Sequence, residues 1–223
     1  TVFSAPLADG TYDIGTRALD SLLNVNEQTF TGALLIDTQP ATASVTARVT
    51  SDRTPAITGT VDEEHVSVSV SVAGQSYVAI VTGTSWTVAD NTVGSLSDGS
   101  YDVEVNTLDG VGNSNSQTIE GALSIDGTAP VVTVEESVSI DGLPTLRGSV
   151  DDNNVSMEVR VAGISYGEVS IVDNKWSLPN TVFSAPLADG IYEVEARATD
   201  GVGNVGTDTT TNELEVNTSE LLV

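Results

Sequence analysis

The 223-residue chain has no cysteine, few aromatic residues and few basic residues, and each shortage excludes a class of structure or partner. Without cysteine there is no disulfide and no thiolate metal site, so small domains need another means of holding their junctions together. The 7 Lys and Arg residues stand against 32 Asp and Glu residues, a net charge of −25, which disfavours binding to nucleic acid or anionic membranes. Cations are the partners that this charge attracts.

Long apolar runs are also missing. No stretch approaches the roughly 18 apolar residues of a membrane span, and the first residues lack the basic-then-apolar order of a signal peptide. We therefore expect a soluble internal or trimmed fragment that does not insert into a membrane. Of the residues, 39% are hydrophobic but only 4% aromatic, and much of the apolar content is valine, which favours sheet over helix.

The sequence repeats itself at a spacing typical of a small domain. Thr1–Gly10 returns unchanged as Thr181–Gly190. Tyr12 and Tyr101 are 89 residues apart, and Tyr101 and Tyr192 are 91 residues apart. A unit of this size matches one β-sandwich domain. We predict the C-terminal half of a repeat at residues 1–40 and two complete repeats at residues 41–130 and 131–223.

Alternation of apolar and polar residues predicts strands within each repeat. Valine occupies every second position of Val66–Val72, and Val155–Val161 aligns with it. Glycine-containing turns such as Asp109–Asn113 and Asp200–Asn204 separate the strands, and no stretch has a helical period. Roughly seven strands per complete repeat predict an all-β chain of tandem immunoglobulin-like β-sandwich domains.

These motifs carry a resemblance to a known family. Pro55–Asp62 and Pro144–Asp151 share the pattern Pro-x-apolar-x-Gly-x-Val-Asp; a Trp strand, Leu-x-Asp-Gly-x-Tyr-x-Val, Asp-Gly-Val-Gly-Asn and Ile-Asp-x-x-x-Pro follow. Together they resemble the bacterial immunoglobulin-like (Big-type) repeats of large surface adhesins. The resemblance implies an extracellular spacer on the bacterial cell surface, often bound to calcium, whose partners are neighbouring repeats of the same kind.

Nothing in the sequence favours an enzyme. A hydrolytic triad needs a base, usually histidine, and His65 is the single histidine; it follows Val61–Glu64 at a predicted turn. Adjacent acids such as Glu63 and Glu64, or Glu135 and Glu136, would point to opposite faces of a strand, whereas a glycosidase needs two carboxylates in one cleft.

The recurring aromatic residues fit a sandwich core. Trp86 and Trp176 are 90 residues apart on aligned strands, which is typical of a buried core tryptophan, although an exposed pair could stack on sugars. Tyr12, Tyr101 and Tyr192 suit a tyrosine corner, in which the hydroxyl bonds to nearby backbone.

The acidic residues concentrate at turns, and they are the candidate ligands. Calcium takes six to eight oxygen ligands, which flexible loops can supply. An Asp-x-x-x-Asn motif recurs at Asp20, Asp109 and Asp200, and in the first copy Asp and Asn persist without the glycines, which favours a ligand role over a plain turn.

Strand polarity in such a sandwich places each linker beside the B–C and F–G loops of the next domain. We predict structural Ca²⁺ at both junctions, which would neutralise the converging acids and stiffen the linker. The candidate ligands at the first junction are Asp37, Asp62, Glu63, Asp109 and Asn113; those at the second are Asp126, Asp151, Asp152, Asp200 and Asn204, with Asp98 approaching from the preceding domain.

The predicted function is a structural extender of a bacterial cell-surface adhesin, and two alternatives remain open. Residues 1–40 supply three or so strands with an unpaired edge, so the chain could be a filament subunit completed by strands from another copy of itself. A carbohydrate-binding module is the other alternative, but it needs an exposed aromatic row, and aromatic residues make up 4% of the chain.

Overall fold

The computed structural model describes residues 5–208 and 210–219, which are almost entirely strand and turn, as the sequence predicts. These residues form two compact units. One contains the residues up to Arg48 together with Thr54–Gly94 and Ser100–Leu123, and the other contains Val49–Arg53, Ser95–Gly99 and the residues from Ser124 onward. Within the described ranges, no helix is long and apolar enough to cross a membrane.

The predicted half-repeat is a β-hairpin. Strand β1 (Gly10–Leu19) pairs antiparallel with β2 (Val25–Ile36), from Gly10 opposite Ile36 to Leu19 opposite Val25. Among the described residues this sheet has two strands rather than the three or so expected. Two strands have little apolar surface to bury against each other, and most of their residues are exposed.

The second repeat divides its strands between two sheets. One sheet has the order β3-β5-β9-β8, and in the other β6 lies between β7 and β10. Val68, Val70 and Val72 alternate with serines on β6 and are buried, as the period of two predicts. The strands are β3 (Ala43–Val45), β4 (Arg48–Thr50), β5 (Ile57–Val61), β6 (Ser67–Val72), β7 (Gln75–Val78), β8 (Ile80–Thr82), β9 (Ser85–Val88), β10 (Gly99–Leu108) and β11 (Ser114–Ile125).

The third repeat has three sheets of shorter strands. Their orders are β12-β14-β18-β17, β16-β15-β20-β21 and β13-β22-β19. The strands and one 3-10 turn are β12 (Val132–Val134), β13 (Ser137–Ser139), β14 (Leu146–Val150), β15 (Ser156–Val161), β16 (Ile164–Tyr166), β17 (Ser170–Val172), β18 (Lys175–Leu178), η1 (Asn180–Val182), β19 (Gly190–Tyr192), β20 (Val194–Thr199), β21 (Val205–Thr207) and β22 (Leu214–Val216).

The first strand of each complete repeat changes sheets, which adds one strand to the predicted seven. In the third repeat, β12 pairs antiparallel with β14, whereas β13 pairs parallel with β22. Each half is therefore counted as a strand of its own. A chain that crosses from one sheet to the other contributes backbone hydrogen bonds to both, which ties the two layers of the core together.

Each core is built around its tryptophan, which confirms the core interpretation. Trp86 and Trp176 are fully buried, and the indole N–H of Trp176 donates to the Thr133 carbonyl at 2.8 Å. The indoles lie directly against Gly59 and Gly148, where a Cβ would collide with the ring and with the backbone of the neighbouring strand. The aligned glycines of the Gly-x-Val-Asp motif are thus required by close approach.

The predicted tyrosine corner is present at both ends of the chain. The Tyr12 hydroxyl donates to the Ala8 carbonyl at 2.8 Å, and the Tyr192 hydroxyl donates to the Ala188 carbonyl at 2.8 Å. Each bond closes the Asp-Gly turn that precedes its strand. His65 also lies at a turn, as predicted, with a φ of 62°.

Replacing Trp176 with Ala should destabilise the third repeat by about 3 to 5 kcal/mol, because it leaves a cavity in a fully packed core. Denaturant unfolding monitored by circular dichroism measures this loss. Val172→Ala on the neighbouring strand is the control, since that side chain is exposed and should change stability by less than about 0.5 kcal/mol. Equal effects of the two variants would contradict the core role.

Candidate functional site

The Asp-x-x-x-Asn loops are organised by their own aspartates. Oδ1 of Asp109 accepts the backbone N–H groups of Val111, Gly112 and Asn113 at 2.9, 2.7 and 2.8 Å, and Asp200 accepts the three aligned N–H groups of its own loop. Desolvation opposes ionisation, but the hydrogen bonds from Asn113 and the loop outweigh it and lower the pKa of Asp109. The carboxylate is thus satisfied by the loop itself.

The asparagine of each loop binds the linker that enters the repeat. Nδ2 of Asn113 donates to the Asp37 carbonyl at 3.0 Å, and Nδ2 of Asn204 donates to the Asp126 carbonyl at 2.8 Å. The same amide nitrogens also donate to Oδ2 of the loop aspartates, at 2.8 and 2.7 Å. We call each loop aspartate, its asparagine and the bound linker carbonyl a linker clasp.

The linker clasp differs from the role predicted for these asparagines. The sequence prediction used the side-chain oxygens as metal ligands, whereas the structure uses the amide N–H groups as donors to backbone. The motif's repetition at the spacing of the linkers could have indicated this contact. The sequence does not show which end of an amide faces the linker.

The first acidic cluster lies beside the first clasp. Burial raises the pKa of Glu63, and the carboxylates of Asp37, Asp109 and Asp62 raise it further. Oε1 of Glu63 is buried and has no hydrogen-bond partner among the described residues. Asp62 by contrast accepts from the Thr42 hydroxyl and backbone N–H at 2.6 and 2.8 Å, and these bonds lower its pKa.

The second acidic cluster is formed by the residues that align with those of the first cluster. Asp126, Asp151, Asp152 and Asp200 line a cleft of about 200 Å³ beside the second clasp. Asp152 occupies the position of Glu63, 89 residues further along the chain. Oδ1 of Asp151 accepts the Val131 N–H at 2.7 Å, and Oδ1 of Asp152 accepts the Asn154 N–H at 2.8 Å. The predicted residues of each junction are therefore brought together.

Asp98 is engaged elsewhere. Oδ1 of Asp98 lies 2.7 Å from Nη2 of Arg53, and its carboxylate also accepts the Thr128 hydroxyl and the Gly127 N–H. The Thr128 bond, the Gly127 bond and the Arg53 charge lower the pKa of Asp98 against a smaller desolvation effect. Asp9 with Thr38 and Asp189 with Thr218 make the same carboxylate–hydroxyl contact, so it belongs to the repeat.

As the side chains stand in residues 5–208 and 210–219, no group of three or more His, Asp or Glu side chains could hold a metal ion. The acids lie close together, but most of their oxygens accept hydrogen bonds from their own loops. Cation binding at either cluster would therefore require an acid such as Glu63 or Asp152 to turn toward its neighbours.

Comparison with known proteins identifies the repeat. Residues 39–127 match the family model described as a bacterial Ig-like domain. No curated protein sequence matches the chain. These residues cover the predicted second repeat almost completely.

Three solved structures are among those that the chain resembles. A 1.5-MDa bacterial ice-binding adhesin is 17% identical over 82% of this chain and 67% of its own, with a TM-score of 0.47. A Ca²⁺-stabilised adhesin of an Antarctic bacterium is 18% identical over 92% and 56%, with a TM-score of 0.43. A tetra-tandem repeat from the extending region of a large adhesion protein is 26% identical over 93% and 57%, with a TM-score of 0.38.

The chain thus spans little more than half the length of two of these three structures. The family match covers the second repeat, and the third repeat has a similar order of strands, a buried tryptophan and the same Asp-Gly-Val-Gly-Asn loop. Residues 39–127 are accordingly the segment that matches a bacterial Ig-like domain, and residues 131–223 repeat its sequence motifs.

Proposed function

We propose that the chain is an extender segment of a bacterial cell-surface adhesin, located outside the cell, in which each repeat fixes the linker that enters it and calcium stiffens that junction. The linker clasp is the observation that carries the proposal. In both complete repeats an asparagine side chain binds the backbone of the entering linker. A spacer needs such contacts because a freely rotating linker would let the chain coil up.

The clasp suits a chain that has no disulfides. The hydrogen bond from Asn204 to the Asp126 carbonyl joins residues 78 positions apart in sequence. It therefore links the loop to the linker by a long-range contact, as a disulfide would in another protein. Asp200 holds the Asn204 amide in place through Oδ2, so the donor is already oriented before the linker meets it. No cofactor is needed for this contact.

Calcium would act on the acids that the clasp gathers. Glu63 has a buried oxygen without a partner among the described residues and a pKa raised by burial and by neighbouring carboxylates, so a cation there would remove an unfavourable interaction. The proposed ligands are Asp37, Asp62, Glu63 and Asp109 at the first junction, and Asp126, Asp151, Asp152 and Asp200 at the second. Asn113 and Asn204 hold the linker, and Asp98 stays with Arg53.

The carbohydrate-binding alternative has little support, because Trp86 and Trp176 are buried and offer no stacking platform.

Asn204→Ala should destabilise the third repeat by about 0.5 to 1.5 kcal/mol, because the partly buried Asp126 carbonyl and Asp200 carboxylate lose their donor. Denaturant unfolding measures the change. The control is Asn24→Ala, whose amide donates to Asp20 in the aligned loop of the hairpin. A third repeat as stable in Asn204→Ala as in Asn24→Ala would exclude the clasp as a stabilising contact.

Glu63→Gln should have opposite effects with and without calcium. In chelator, the variant should melt at a higher temperature than the wild type, because a repelled carboxylate is removed. With calcium, the wild type should gain more stability than the variant, since the variant lacks a charged ligand; saturation at 100 times the dissociation constant adds about 2.7 kcal/mol. Glu64→Gln, which removes the same charge from an exposed neighbour, is the control.

The pH dependence gives an independent check on the same residue. A carboxyl whose pKa is raised on folding binds its proton more tightly in the native state, so its contribution to stability falls as pH rises through the raised pKa. In chelator, this loss should be present in the wild type and absent in Glu63→Gln. A wild type whose melting temperature is unchanged by both calcium and chelator would refute the calcium proposal and leave the clasp standing.

A further inference from the structure

The third repeat has an open cleft beside strand β16. The cleft has a volume of about 350 Å³ and is lined by Ser165, Tyr166, Gly167, Glu168, Thr181 and Val182. Tyr166 is half-buried, and its ring packs against the buried ring of Phe183 with the ring centroids 4.8 Å apart. The tyrosine is therefore held in place by the core while it lines the cleft.

The aligned tyrosine of the second repeat is fully engaged by its own domain. Tyr77 lies 89 residues before Tyr166 in the sequence. Its hydroxyl donates to Oε1 of Gln75 at 2.7 Å and accepts the Gly94 N–H at 3.0 Å. These two bonds connect the tyrosine to its own strand and to the loop that follows β9.

The third repeat replaces both partners of this hydroxyl. Ile164 stands where the second repeat has the glutamine, and its side chain has no polar atom. Phe183 stands where the second repeat has the glycine, and its N–H donates to the Asn180 carbonyl at 3.2 Å instead. Among the described residues, the Tyr166 hydroxyl has no hydrogen-bond partner. The third repeat thus keeps the tyrosine but not the bonds that engage it.

A carboxylate enters the same part of the repeat. In the second repeat this position is Ala79, which is buried and whose N–H donates to the Val68 carbonyl at 3.0 Å. In the third repeat it is Glu168, which follows Gly167 in the segment between β16 and β17. Glu168 is exposed, and within the described ranges its carboxylate has no hydrogen bond or ion pair. The cleft therefore has a second free acceptor.

Glu168 is also the charged residue of the cleft lining. Arg160 lies opposite Ser165 at the rim, but its Nε is 3.2 Å from Oε1 of Glu158, which accepts the Ser165 hydroxyl as well. The neighbouring arginine is thus paired with an acid of its own. The net charge of −25 on the whole chain adds to the attraction of the cleft for cations.

An organic ammonium group matches these features. An ammonium group donates hydrogen bonds and accepts none, and the cleft has free acceptors in Glu168 and the Tyr166 hydroxyl. A cation near the face of a tyrosine ring is also attracted by the negative charge of that face. Ile164, which is 56% exposed, lies on the same side of β16 as Tyr166 and adds apolar surface for the methylene groups next to the ammonium.

We propose that this cleft of the third repeat binds an alkylammonium group, supplied by a lysine side chain of another protein or by a polyamine. Glu168 pairs with the charge, and Tyr166 contacts the methylene groups with its ring and accepts a hydrogen bond with its hydroxyl. The site gives the segment a binding role in addition to extension. It depends neither on calcium nor on the linker clasp.

Amide NMR titration of the intact chain in chelator tests the site. The ammonium probes are spermidine and a blocked Gly-Lys-Gly peptide, and methyl β-glucoside is included because a sugar could stack on the same ring. At least one ammonium probe should shift the signals of Gly167 and Thr181 and leave their second-repeat counterparts, Val78 and Thr92, unchanged. A response to spermidine alone identifies a polyamine as the source of the group, and a response to the peptide identifies a lysine side chain.

Variants separate this site from general attraction to an acidic protein. Glu168→Gln should weaken binding at least fivefold, whereas Glu215→Gln, which removes the same charge from an exposed position of β22, should change it less than twofold. Tyr166→Leu should weaken binding at least fivefold and Tyr166→Phe, which keeps the ring and its packing, by less; circular dichroism checks that each variant is folded. Equal weakening by the two glutamate variants, shifts with the glucoside in place of the ammonium probes, or no shift with any probe would each overturn the proposal.

Discussion

The structure depends on one recurring interaction, in which a loop aspartate accepts several backbone N–H groups and orients an asparagine. Its strength is visible at Leu23, whose φ of 67° lies in the left-handed region that the aligned Gly112 and Gly203 occupy without strain. Asp20 still accepts the Leu22 and Asn24 N–H groups at 2.8 and 2.9 Å. A non-glycine residue keeps that conformation only when its surroundings require it, so the carboxylate, and not the glycines, shapes the loop.

This explains why the persistence of Asp and Asn in the first copy is not specific for a metal. The prediction from the sequence treated oxygens that survive the loss of glycines as ligands. The bonds made by Asp20 and Asn24 provide a structural reason for the same pattern, and the linker contacts of Asn113 and Asn204 provide a second one. Within the two acidic clusters, Glu63 has a buried carboxylate oxygen without a partner among the described residues, and Glu63 lies outside the motif.

The fold was predictable further than the site. Alternating valines, repeated turns and spaced tryptophans specify which residues face a core, because burial depends on a period of two that can be read along one strand. Two other features depend on pairings between distant segments, which one strand's sequence does not reveal. Gly148 lies against the Trp176 ring, and the first strand of the repeat pairs first with β14 and then with β22. Whether the N–H end or the oxygen end of the Asn204 side chain faces the linker depends on the atoms around it, and the sequence does not specify those contacts.

Sequence repetition makes the parts of this chain interchangeable in principle, so something must decide which half pairs with which. Apolar faces cannot do so, since Val103 and Val194 meet equivalent positions in their own repeats. Charges on the outer face can select the partner. An exposed charge pair contributes little to stability, but a small difference in free energy is enough to favour one of two otherwise equal partners. Glu158 lies opposite Arg197 in the third repeat, whereas Ser69 lies opposite Asn106 at the equivalent position of the second, and this is such a difference.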